Sequence, residues 1–140
     1  MHYVKSSHLK EIEKTVQKAM KLGDGGERPE NDIEAMGKTL DRSGIAPKAI
    51  VLIADNNSPV RDLSLFNKLR AQKVPVYVIV CGAIHGFVSV EYLEIARRTK
   101  GKVFTMEGEL AGLLDLNEGE TIEVGTQKFI VRDRKLVLTR

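Results

Sequence analysis

Apolar positions along this chain pass from helical spacing, through unbroken runs, to strict alternation. Over residues 7–22, Leu9, Ile12, Val16, Ala19 and Met20 recur at helical spacing with Lys and Glu between them, which predicts an amphipathic helix. Ser6 or Ser7 can cap its start and Gly23 ends it. After the acidic, glycine-rich stretch Gly23–Arg28, Pro29 opens a second helix in the position proline favours. Its first turns carry Glu30, Asp32 and Glu34 and its end carries Lys38 and Arg42, as the helix dipole prefers. Ile33, Met36, Gly37 and Leu40 form its apolar face, and Gly44 stops it.

The pattern then changes. Ala49-Ile50-Val51-Leu52-Ile53-Ala54 is continuously apolar and rich in β-branched residues, which predicts a strand buried on both faces, as in a parallel sheet. Val76–Cys81 reads the same way, entered through Pro75, which fits only at a strand's start because it cannot donate to the ladder. A third helix at about 61–72 carries Leu63, Leu65, Phe66 and Leu69; a fourth at about 89–99 turns Val90, Leu93 and Ala96 inward and stops before Gly101. Lys102–Met106 predicts a third, shorter strand, followed by a short helix around 108–115. Alternation over 121–124, 127–132 and 135–138, with turns at Gly125-Thr126 and Asp133-Arg134, predicts an antiparallel meander. The expected fold is α/β and Rossmann-like: a parallel three-stranded core with flanking helices over residues 1–116, its strands neighbours by right-handed crossovers, plus an appended β-meander at 117–140.

Composition narrows the functional classes. The chain has 140 residues, enough for one domain with a core. No run of about 18 apolar residues marks a membrane span, and the polar start lacks the apolar centre of a signal peptide, so the chain reads as cytoplasmic with no membrane partner. Cys81 is the single cysteine, which excludes an internal disulfide. Net charge is +3, and the bias sits in Lys128, Arg132, Arg134, Lys135 and Arg140 against Asp133 alone. Without an aromatic stacking platform these charges read as a solvated hairpin face, and no nucleic-acid partner is expected.

The polar cluster Asp55-Asn56-Asn57-Ser58-Pro59 falls at the carboxyl end of the first strand, where ligands and metals sit in open α/β sheets. Three segments around it resemble the von Willebrand factor A (vWA) family. Gly25-Gly26-Glu27-Arg28-Pro29-Glu30 is similar to a Gly-Gly-Asp-x-Pro-Glu segment of one vWA branch. Ile50–Asp55 resembles the family's strand ending in an acidic residue. Tyr92–Phe104, with Thr99-Lys100-Gly101, resembles its helix ending in threonine-glycine-glycine and the strand after it.

The resemblance covers about residues 7–115 and only the second half of such a domain. The family's Asp-x-Ser-x-Ser strand, which supplies most of its metal-ion-dependent adhesion site, has no counterpart in this sequence. The resemblance implies a protein-binding role rather than catalysis, with an incomplete metal site: Glu27 and Asp55, helped by water, holding Mg²⁺ or Mn²⁺ weakly through oxygen ligands. Asn56, Asn57 and Ser58 then face the partner. With no strand beside it, the edge of residues 49–54 is bare and apolar, so it is expected to pair with another chain, either a second copy in a homo-oligomer or a separate polypeptide.

Other chemistries fit less well. A response-regulator receiver needs an acidic pair near its start, which here is helical and basic. The Gly23–Arg28 loop lacks the Lys-Ser/Thr of a phosphate loop and follows no strand. A hydrolase-like site at Asp55, Ser58 and His85 is the alternative to a binding role, although no Gly-x-Ser-x-Gly turn exists. Cys81 reads as a small hydrophobe at a strand end.

Overall fold

A computed structural model of the chain describes residues 8–22, 31–43, 47–54, 59–81 and 87–139. Helix α1 spans Leu9–Leu22 and α2 spans Asp32–Ser43. Strand β1 (Ile50–Ala54) is followed by a 3-10 turn (Leu63–Leu65) that runs into α3 (Phe66–Ala71). Then come β2 (Val76–Val80), α4 (Val90–Thr99), β3 (Val103–Thr105) and β4 (Gly108–Glu109). A separate antiparallel sheet closes the chain, with β5 (Thr121–Val124), β6 (Gln127–Arg132) and β7 (Lys135–Leu138).

Strands β1, β2 and β3 are parallel neighbours in chain order, and β4 adds an antiparallel edge beside β3. Because the order advances in one direction, right-handed crossovers place α3 and α4 on the same face of the sheet. Helix α2 packs on α3 there. This face is the core: Val76, Val78, Val80 and Val103 are fully buried in one cluster with Ile33, Met36, Phe66, Leu69, Leu93 and Ala96.

The opposite face of the sheet carries Val51, Ile53, Tyr77, Ile79 and Phe104, brought side by side by the register Val51–Tyr77 and Ile53–Ile79–Phe104. Val51 is 58% exposed and Ile53 68%. The expectation of a strand at 49–54 buried on both faces is therefore corrected. Its apolar run continues through both faces, but among the described residues helices cover one of them only.

The helix expected around 108–115 is also absent. Gly108 and Gly112 take φ values of 131° and 78°, outside the right-handed helical region. Gly108–Glu109 folds back on β3, and the turns at 111–115 tuck Leu113 into the core. The helix expected at 61–72 begins as a 3-10 turn and becomes α-helical only at Phe66.

The α4–β3 junction ties sequence to packing closely. Thr99 Oγ1 accepts the N–H of Val76 at 3.0 Å and donates to the Ile95 carbonyl at 2.7 Å, satisfying the first amide of β2. Lys100 takes the left-handed cap conformation at φ 61°. A Cβ on Gly101 would stand 1.8 Å from the Val76 carbonyl oxygen, so only glycine fits between helix and strand.

The meander forms where alternation predicted it. Asp133 and Arg134, at φ 52° and 62°, make the tight turn between β6 and β7, and the Glu118 carboxylate accepts both of their N–H groups at 2.8 and 3.0 Å. Val124, Phe129, Val131 and Leu136 join the same core cluster as the parallel sheet. Lys128 pairs across the hairpin with Glu123 at 3.5 Å on its exposed face.

Candidate functional site at the carboxyl edge of the sheet

The residues singled out in the sequence, Glu27, Asp55, Asn56, Asn57, Ser58 and His85, lie outside the described residues. The structure does describe the frame from which their segments leave. Ala54 ends β1 and lies opposite Val80, the last residue of β2. The Cys81 N–H donates to the Ala54 carbonyl at 2.7 Å. The two segments that follow, one with Asp55 and Ser58 and the other with His85, therefore start from hydrogen-bonded neighbours.

The segment after β1 returns at Pro59, and buried Val60 anchors it. Asp62 then reaches across to the start of α2: its Oδ1 accepts the Ile33 N–H at 3.2 Å and its Oδ2 the Glu34 N–H at 2.5 Å. A carboxylate on two unpaired amides at a helix N-terminus satisfies donors that have no partner within the helix, and it complements the helix dipole. Next to it, the Tyr92 hydroxyl in the first turn of α4 donates to Asp32 Oδ2 at 3.1 Å. These three bonds join the start of α2, where the segment containing Glu27 ends, to the segment after β1 and to α4.

Asp62 is the positioning residue that the sequence pattern did not single out. It lies seven residues beyond Asp55, in what reads as an ordinary helix start. It stands before the 3-10 turn yet makes no side-chain cap bond to that turn, which leaves its carboxylate for α2. Its partners are about 30 residues upstream, a pairing that only the fold creates.

Farther along this edge, the Val88 N–H donates to the Gln127 side-chain carbonyl, and Ser89 Oγ–H donates to the Glu91 carboxylate. The first bond fastens the end of the segment containing His85 to the meander. Among the described residues no group of three or more His, Cys, Asp or Glu side chains is arranged to hold a metal ion. Asp62 uses both of its oxygens on backbone amides, which suits it to organising the edge rather than to ligating.

Away from this edge, a cleft of about 220 Å³ lies between the 3-10 turn, α4 and β7. Leu63, Phe66, Glu94, Arg98 and Leu136 line it, with the Arg98 guanidinium 4.6 Å from the centre of the Phe66 ring. Glu94 Oε1 accepts the Leu136 N–H at 2.8 Å, and Arg97 donates to the carbonyls of Leu116 and Arg134 at 3.2 and 3.1 Å. These charged groups hold the meander on α4.

Comparison of the chain with protein-family models, with curated proteins and with solved structures gives no match. No helix among the described residues is long and apolar enough to cross a membrane.

Proposed function

We propose that this protein is a protein–protein interaction or assembly module, a partial Rossmann-like fold of von Willebrand factor A type that associates through the edge of β1. The observation that supports this reading is the position and polarity of that strand. β1 is the outer strand of the sheet, with Ile50 donating to the Pro75 carbonyl and Ala54 accepting from Cys81 on the β2 side. In a parallel ladder the alternate residues Val51 and Ile53 then turn their N–H and C=O groups outward. Among the described residues no strand pairs with this side of β1, and an apolar edge without a neighbour is a template for another strand. In this reading Glu27 and Asp55 hold Mg²⁺ or Mn²⁺ weakly with water, and Asn56, Asn57 and Ser58 contact the partner.

The test is absolute mass by light scattering, with and without millimolar Mg²⁺. A defined dimer is the expected result. Val51→Pro, which removes an outward N–H and spares the internal ladder, reverts it to one chain. In parallel, Glu27→Gln with Asp55→Asn abolishes any Mg²⁺-dependent rise in melting temperature; an unchanged rise refutes the metal role.

One observation favours a second reading, a small hydrolase-like enzyme acting through Asp55, Ser58 and His85. The Cys81–Ala54 hydrogen bond starts their two segments side by side. Asp55→Asn separates the readings: an enzyme loses turnover of an activated ester with folding intact, whereas a binding module loses association.

A further inference from the structure

The cleft between the 3-10 turn, α4 and β7 combines an apolar lining with donors that the fold leaves unused. Phe66 and Leu136 are buried side chains at its base, and Leu63, 39% exposed, stands at its lip. The carboxylates beside it are already engaged. Ser89 Oγ–H donates to Glu91, and the Leu136 N–H donates to Glu94 Oε1 at 2.8 Å. Glu94 also lies 3.7 Å from the Arg97 guanidinium and 4.0 Å from that of Arg98, and its Oε2 is closed off from solvent.

The cations of the cleft are not engaged in the same way. Among the described residues neither Arg98 nor Lys135 donates a side-chain hydrogen bond. The Arg98 guanidinium rests 4.6 Å from the centre of the Phe66 ring, a contact that holds it against the apolar base without using its N–H donors. Helix α4 and strand β7 together contribute Arg97, Arg98 and Lys135 against Glu91 and Glu94, which leaves one positive charge over.

We propose that this cleft binds a small monocarboxylate with an apolar body, of the aryl-acetate kind. The carboxylate takes the planar donor fork of Arg98, whose geometry it matches, and the ammonium of Lys135. The body lies on Phe66, Leu63 and Leu136. A neutral apolar molecule would strip water from these donors and give them no acceptor, and an amine would meet the surplus positive charge. A volume of about 220 Å³ is below the roughly 300–1,000 Å³ of sites for drug-sized ligands, so the body is a single ring or a short chain. The site uses no residue of β1 and is independent of the assembly reading.

The experiment titrates phenylacetate into the ¹⁵N-labelled full chain and follows the Leu136 amide and the Arg98 Nε–H by nuclear magnetic resonance. Both signals are expected to shift saturably, while the amides of Val51 and Ile53 stay in place. Phenylacetamide, which keeps the shape and loses the charge, and acetate, which keeps the charge and loses the body, produce no saturable shift over the same range. Arg98→Gln weakens phenylacetate binding roughly tenfold or more, because it removes charge-assisted bonds, and Arg98→Lys, which loses the fork, does not restore it. Leu63→Glu sets a carboxylate at the exposed lip and abolishes binding with the far-ultraviolet circular dichroism unchanged. That variant keeps the test open should Arg98→Gln disturb the packing on Phe66. Absence of a saturable shift with phenylacetate overturns the proposal. Equal binding of phenylacetamide or acetate overturns it too, as does parental affinity in Leu63→Glu or in Arg98→Gln with Lys135→Gln.

Discussion

Single residues at the carboxyl edge and at the end of α4 carry roles that residue type alone only half announces. Asp62 is the clearest. By accepting the amides of Ile33 and Glu34 it couples the segment after β1 to the start of α2. Asp62→Ala removes a charged cap from two backbone donors and is expected to lower stability by about 1–2 kcal/mol in urea unfolding. Asp62→Asn, which keeps an acceptor, should recover about half. Thr99 and Gly101 belong to the segment that resembles a known family, and the fold supplies a physical reason for each. One satisfies the first amide of β2, and the other lets helix and strand backbones meet. Lys100 between them occupies a left-handed position, where glycine is unstrained.

At the scale of elements, the meander is held by charged groups as well as by its buried side chains. Glu94 on α4 accepts the Leu136 amide of β7, and Arg97 donates to two carbonyls, that of Leu116 before the meander and that of Arg134 in the β6–β7 turn. Glu94→Ala leaves a partly buried amide and a neighbouring guanidinium without their carboxylate, so a loss of about 1–3 kcal/mol is expected. The distinguishing measurement is hydrogen exchange: the Leu136 amide should lose protection more than the Val78 amide at the centre of the parallel sheet. Elements with strong local periods formed where their patterns placed them, notably α1, α4 and the three meander strands. The stretch at 108–115 did not, because two glycines with positive φ and pairing with β3 outweigh a weak helical pattern.

For the whole molecule, one-directional strand order decides what remains exposed. Two right-handed crossovers running the same way cover one face of the sheet and leave Val51, Ile53 and their neighbours on the other. If the β1 edge is where copies meet, the melting temperature of the parent chain rises with protein concentration, as mass action requires. Val51→Lys with Ile53→Lys places two charges on exposed positions. It should remove the concentration dependence while leaving the far-ultraviolet circular dichroism unchanged.

The sequence by itself determined the α/β class, the parallel reading of the apolar runs, and the alternating meander with its turns. Each of these depends on side-chain period or on a local backbone preference, and both are written into neighbouring residues. It also marks the strand end before Asp55, because a strand's carboxyl end is read from where an apolar run stops; the site expected there lies outside the described residues. The tertiary structure alone decided that Asp62 caps α2, that Glu94 holds β7, and that one face of an apolar strand is exposed. Those outcomes depend on which elements become neighbours and on the direction in which crossovers advance, quantities that no local window of residues contains.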